Sequence, residues 1–186
     1  AHTASTTEVM ARIGAMPEAI VIGIPSGEAR NRDYTPPGMR HDSDDANIPD
    51  GQADRFLGFL QRELIPRVDR EFRTSDMRVL AGNSRGGLFV VHALTTQPAL
   101  FDAWIANSPA LWRDDGEMVK RLQRFLRDTP DARTRLFLSL GGAENAKMTQ
   151  AYRQALAVLR DEAPRGLNGR ALAARGAGHD GRARRA

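Results

Sequence analysis

No cysteine occurs among the 186 residues, which excludes disulfide bridges and thiolate metal sites and leaves the compartment open. Aromatic residues make up 6% of the chain and do not alternate with its basic residues. The stacking platforms interleaved with cations that nucleic-acid binding uses are therefore missing. No apolar run approaches the roughly 18 residues of a membrane span. The N-terminus shows no basic segment followed by an apolar one, so no signal peptide is read there. Charge of one sign is in small excess, 27 basic against 23 acidic side chains. Much of that excess falls on Arg165, Arg170, Arg175, Arg182, Arg184 and Arg185, an arginine-rich solvated stretch rather than a nucleic-acid footprint. What is present, 41% apolar and 27% charged residues, is the composition of a soluble globular domain. The length suits one domain, residues 1–186, with a sizeable core.

Apolar runs and helical patterns alternate along the chain. Residues 3–15 carry Val9, Met10 and Ile13 after a polar run that can cap a helix. Residues 19–24 (AIVIGI) are continuously apolar, as expected of a central parallel strand covered on both faces. Residues 25–50 hold four prolines among Gly, Asn and Asp and read as a long functional loop. Its run His41-Asp42-Ser43-Asp44-Asp45 lacks a metal-ligand spacing and reads as solvated. Residues 51–72 are amphipathic, with Pro66 expected to kink or interrupt the helix. Strands follow at residues 77–81, 103–106, 135–140 and 170–174, with helices at 88–94, 116–127 and 148–160 between them. Alternation of this kind implies a parallel sheet with right-handed crossovers and helices on both faces.

Between the strand at 77–81 and the buried helix at 88–94 stands Gly82-Asn83-Ser84-Arg85-Gly86-Gly87. A serine hydroxyl is a weak nucleophile and must stand on a sharp turn where a base can reach it. The pattern Gly-x-Ser-x-Gly in a strand–turn–helix context meets that need. Gly82, Gly86 and Gly87 remove side chains where strand and helix close on each other. The helix start directs the Arg85 backbone N–H at the reaction centre as an oxyanion donor. A base and an orienting acid complete such a site. His92 lies more than two helical turns past Ser84, roughly 12 Å along the axis, and is too far to serve. His179 follows the last strand in a glycine-rich loop, and Glu144 follows the fourth. The order Ser84, Glu144, His179 is that of α/β-hydrolases. Glu144 has a second reading, as a carboxylate favouring the dipole of the next helix. Asp114 and Asp115 are weaker rivals, and Asp180 is badly placed to hold the His179 ring. Asn83, Trp112 and the loop residues Arg32, Asp33 and Tyr34 are the expected substrate wall, with core packing as the other role open to Trp112.

The segments Met16-Pro17-Glu18-Ala19-Ile20-Val21-Ile22-Gly23-Ile24, Arg30-Asn31-Arg32-Asp33-Tyr34-Thr35-Pro36, the elbow, Ser108-Pro109-Ala110-Leu111-Trp112 and Gly178-His179 together resemble the Putative esterase family. That family includes siderophore esterases, feruloyl esterases, S-formylglutathione hydrolases and mycolyltransferases. The resemblance implies an α/β-hydrolase fold and serine esterase activity with Ser84, Glu144 and His179 as nucleophile, acid and base. It implies a small-molecule ester as substrate and no metal or organic cofactor. Some members use a Ser-His dyad, which leaves the role of Glu144 open. Family members also carry strands before the segment at 19–24, and one of their loops supplies the second oxyanion donor. The family elbow is more often Gly-His-Ser, and a closing helix follows the histidine. The resemblance therefore implies a fragment of the family's domain that is weakly active or inactive alone. An acyltransferase using the same serine, or a non-catalytic domain of this fold, is the alternative.

Overall fold

The computed structural model describes residues 2–25, 27–39, 51–131, 133–164 and 166–174. Before the sheet come α1 (His2–Arg12), α2 (Arg30–Asp33), α3 (Ala53–Phe59) and α4 (Ile65–Glu71). The strands β1 (Val79–Asn83), β2 (Ala103–Asn107), β3 (Thr134–Gly141) and β4 (Leu167–Ala174) are hydrogen-bonded in that order and are all parallel. Their connections are α5 (Arg85–Thr96), α6 (Glu117–Asp128) and α7 (Ala146–Glu162). Sequential order with right-handed crossovers puts three such helices on one face, and α6 packs against both α5 and α7. The architecture is an α/β-hydrolase sheet flanked by helices.

The core follows from strand alternation. Trp104 and Ala106 of β2 stand beside Leu136 and Leu138 of β3 in register, and all four are buried. The indole N–H of Trp104 donates to Thr134 Oγ1 at 2.8 Å, so the one polar atom of that side chain is satisfied inside the core. Helix α5 is apolar nearly all round and is buried from Gly86 to Leu94, because it packs on β1 and β2 and also touches α3 and α6. Asn83 and Asn107 align at the ends of β1 and β2, so the segments that follow both strands emerge at one edge of the sheet.

Three expectations are corrected. Residues 19–24 form no strand, and Ile20, Val21 and Ile22 are 47%, 38% and 41% exposed. A strand exists only by pairing, and among the described residues no strand lies beside this run. Residues 25–50 are not loop throughout, since a 3₁₀ turn at Gly27–Ala29 leads into α2; residues 40–50, with the His41–Asp45 run, lie outside the described residues. Pro66 does not interrupt its helix. A π turn at Leu60–Leu64 joins α3 to α4, with helical dihedrals at Leu60 (φ −57, ψ −47) and Ile65 (φ −58, ψ −51). That wider turn re-spaces the ladder just ahead of Pro66, which then occupies the first turn of α4, where a missing N–H costs little.

Candidate active site

Ser84 sits at φ 58, ψ −116 between β1 and α5, a conformation that non-glycine residues rarely adopt and that functional sites retain. Its neighbours enforce it. The Ser84 N–H donates to Asn107 O at 2.9 Å, and Ser84 O accepts from Ala110 N at 3.0 Å and Leu88 N at 3.0 Å. The bond from Leu88 is the first rung of α5, so the N–H groups of Arg85, Gly86 and Gly87 lie ahead of the ladder at the helix start. A Cβ on Gly82 would collide with the carbonyl of Gly86. On Gly87 it would stand 3.0 Å from Pro109 Cα and 3.2 Å from Asn107 O. A Cβ on Gly86, by contrast, would make only ordinary contact, with Tyr34 Cε2 the nearest atom at 3.9 Å. The close approach therefore rests on Gly82 and Gly87, and the expectation for Gly86 is corrected on that ground.

Glu144 comes to the same edge of the sheet. Its Oε1 accepts a hydrogen bond from Ser108 Oγ at 2.7 Å. The cap of α7 is the next residue, Asn145, whose Oδ1 accepts from Met148 N at 3.0 Å. Asn145 thus supplies the cap, and the Glu144 carboxylate meets Ser108 just past the end of β2. Beside it, Ser139 Oγ donates to Asn107 Oδ1 at 2.7 Å. Asp114 and Asp115 form a left-handed turn, φ 49 and 52, between β2 and α6. His179 and Asp180 lie outside the described residues.

The expected substrate wall divides. Arg32 and Asp33 pair with each other at 2.8 Å, and Asp33 raises the Arg32 pKa first through that hydrogen bond. The Tyr34 ring packs on Phe56 and Phe89, with centroids 5.2 and 5.7 Å away. Trp112 is half-buried against the core, with the Arg113 guanidinium 5.9 Å from its ring. Asn83 is exposed, and its carbonyl accepts from Arg30 Nη2 at 3.4 Å. Two residues that sequence reasoning passed over hold this corner together. Thr35, fully buried, accepts from Arg85 Nη1 at 2.8 Å and donates to Asn31 O at 2.6 Å. Ser108 holds Glu144. Ser108 directly follows the end of β2, which was the signal available for it, whereas Thr35 follows Tyr34 and carried no such signal. Among the described residues no cluster of three or more His, Asp and Glu is placed to hold a metal ion, and no helix is long and apolar enough to cross a membrane.

His92 is buried and its Nε2 lies 2.7 Å from Asp54 Oδ1. Burial pushes its pKa down, and its hydrogen bond to the Asp54 carboxylate opposes that. It bridges α5 to α3, far along α5 from Ser84.

The ferri-bacillibactin esterase of Bacillus subtilis is 31% identical over 129 residues, covering 62% of this chain and 44% of the relative. The siderophore enterobactin esterase of Emericella nidulans is 33% identical over 148 residues, covering 70% and 49%. The chain thus spans about half the length of these curated relatives. The BES protein of Bacillus cereus superposes with a TM-score of 0.81 at 23% identity, covering 96% of this chain and 71% of that one, a likeness of fold. Residues 1–174 match the family described as "Putative esterase", and the chain belongs to that family.

Proposed function

We propose that this chain carries the serine-centred site of a carboxylic-ester hydrolase, and that its ester is of the siderophore class. The observation that carries the reading is the backbone of Ser84, held at positive φ at the head of a buried helix. A protein keeps such a conformation in a serine when the hydroxyl must stand at the mouth of the sheet. Family membership and the names of the two curated relatives support the substrate class. Arg30, beside the Asn83 carbonyl, adds positive charge next to Ser84, which suits an ester bearing metal-chelating oxygens.

In the mechanism, His179 takes the Ser84 Oγ proton as that oxygen attacks the ester carbonyl. The N–H of Arg85 at the helix start stabilises the oxyanion. Collapse of the tetrahedral adduct expels the alcohol, which receives the proton from His179 and leaves an acyl-serine. Water, deprotonated by the same histidine, then releases the acid and restores Ser84. Glu144 orients the imidazole. These steps draw on the chain, its ester substrate and one water.

The test is intact mass after exposure to a fluorophosphonate, with Ser84→Ala alongside. One adduct is expected on the wild-type chain and none on the variant, with ester turnover in the variant lower by about 10⁴-fold or more. Turnover unchanged in Ser84→Ala would remove the reading.

A further inference from the structure

The last residue of β2 and the three that follow it touch both ends of the proposed constellation. The carbonyl of Asn107 receives the Ser84 N–H at 2.9 Å, and the N–H of Ala110 reaches the Ser84 carbonyl at 3.0 Å. Pro109 packs where a Cβ on Gly87 would be. Between these contacts, Ser108 turns away from the elbow toward β3. Its N–H donates to Ser139 O at 2.8 Å, and its Oγ accepts from Gly141 N at 3.2 Å while donating to Glu144 Oε1 at 2.7 Å. The hydroxyl is thus committed in both senses, and its only donor goes to the carboxylate. Ser108 is 8% exposed and lies at φ 38, the left-handed region in which glycine is at ease and serine is strained. A glycine would fit that backbone better, so the presence of a hydroxyl there calls for a reason, and the geometry offers one.

We propose that Ser108 is a positioning residue that fixes the Glu144 carboxylate relative to Ser84, with the turn 107–110 acting as the rigid link between nucleophile and acid. The inference rests on the esterase reading and on Glu144 as its acid. The chain of contacts is short. Ser84 is tied by its backbone to Asn107 and Ala110, and Ser108, between them, is tied by its side chain to Glu144. A displacement of the turn moves both groups together. Loss of the hydroxyl removes its bonds to the Glu144 carboxylate and from the Gly141 N–H, leaving the elbow clamp of Asn107 and Ala110 on Ser84 intact.

This separation makes the proposal testable in the 186-residue chain. Ser108→Gly removes the hydroxyl while relieving the backbone, and Ser108→Ala removes it at the cost of the same positive φ. Turnover of a p-nitrophenyl ester is measured for both, for Glu144→Gln and for the double variant Ser108→Gly/Glu144→Gln, together with the rate of fluorophosphonate labelling. The expected result for Ser108→Gly is a kcat lower by about 10- to 100-fold, the scale of one hydrogen bond to a charged group, with KM and urea midpoint held. The double variant is expected to be no slower than Glu144→Gln, because two residues acting as a unit are not additive. A Ser108→Gly variant with unchanged kcat, or effects that multiply in the double variant, overturns the inference while Ser84 labelling keeps the esterase reading intact. A wild-type chain without an adduct on Ser84 overturns both.

Discussion

Gly82 and Gly86 are the outer letters of one motif, yet their surroundings differ. A methyl at Gly82 would collide with the backbone of Gly86, and backbone cannot move aside as the tip of a flexible chain can. A methyl at Gly86 would meet nothing nearer than the Tyr34 ring at 3.9 Å, in a helix where alanine is favoured over glycine by about 1 kcal/mol. Gly82→Ala is therefore expected to lower stability by about 1–3 kcal/mol and to slow labelling of Ser84. Gly86→Ala is expected to fold with an unchanged or raised midpoint. Urea titration of the two variants beside the wild type checks the pair, and equal losses from both would mean that the helix does not approach the strand as described.

At the scale of elements, the bridge between α3 and α5 carries a pH signature. His92 is buried with its pKa lowered, first by desolvation, so it stays neutral in the fold where the unfolded chain has begun to protonate. Above the unfolded value of about 6.5 the two states bind the same number of protons at this site and its contribution is complete. As pH falls below that value the unfolded state gains a proton that the folded state refuses. Stability then declines with a slope approaching about 1.4 kcal/mol per pH unit until the folded pKa is reached. Arg121 pushes in the same direction and Asp54 against it. Urea midpoints between pH 7.5 and 5 are expected to fall more steeply in the wild type than in His92→Gln, and parallel curves would show that the imidazole is not the titrating group. The bridge also shows why the sequence yields some elements and not others. The strand–elbow–helix from β1 to α5 is legible because its signals are local: an apolar run, glycines at fixed offsets, then an apolar helix. Glu144 was legible as a polar residue past a strand end. Its partner Ser108 lies 36 residues away, and that pairing is created only when β2 and β3 align. Tyr34 reads as a site residue from its motif, whereas its ring contacts with Phe56 and Phe89 exist only in the fold.

For the molecule as a whole, residues 19–24 carry the apolar, β-branched composition of a buried strand, but residues 19–23 lie exposed and only Ile24 is half-buried against the core. Composition records what a segment can pair with, and pairing is a property of neighbours. Along the same lines, β1 pairs with β2 alone among the described strands, and Val79 is 46% and Met77 60% exposed. A strand edge unpaired among the described residues and a run of exposed Ile20, Val21 and Ile22 are each a template for association between chains, since unpaired backbone groups and apolar side chains are satisfied together by a second strand. Charge at such positions opposes association while touching no buried contact. Ile20→Lys and Val79→Lys are therefore expected to reduce concentration-dependent light scattering at neutral pH, each changing the unfolding free energy by no more than about 0.5 kcal/mol. Scattering and urea midpoints measured on the same samples check both halves. If scattering is unchanged in the two variants, the exposed edge and the apolar run are not where chains meet; if the unfolding free energy falls by several kcal/mol, these side chains are buried in a packing that the exposures above do not describe.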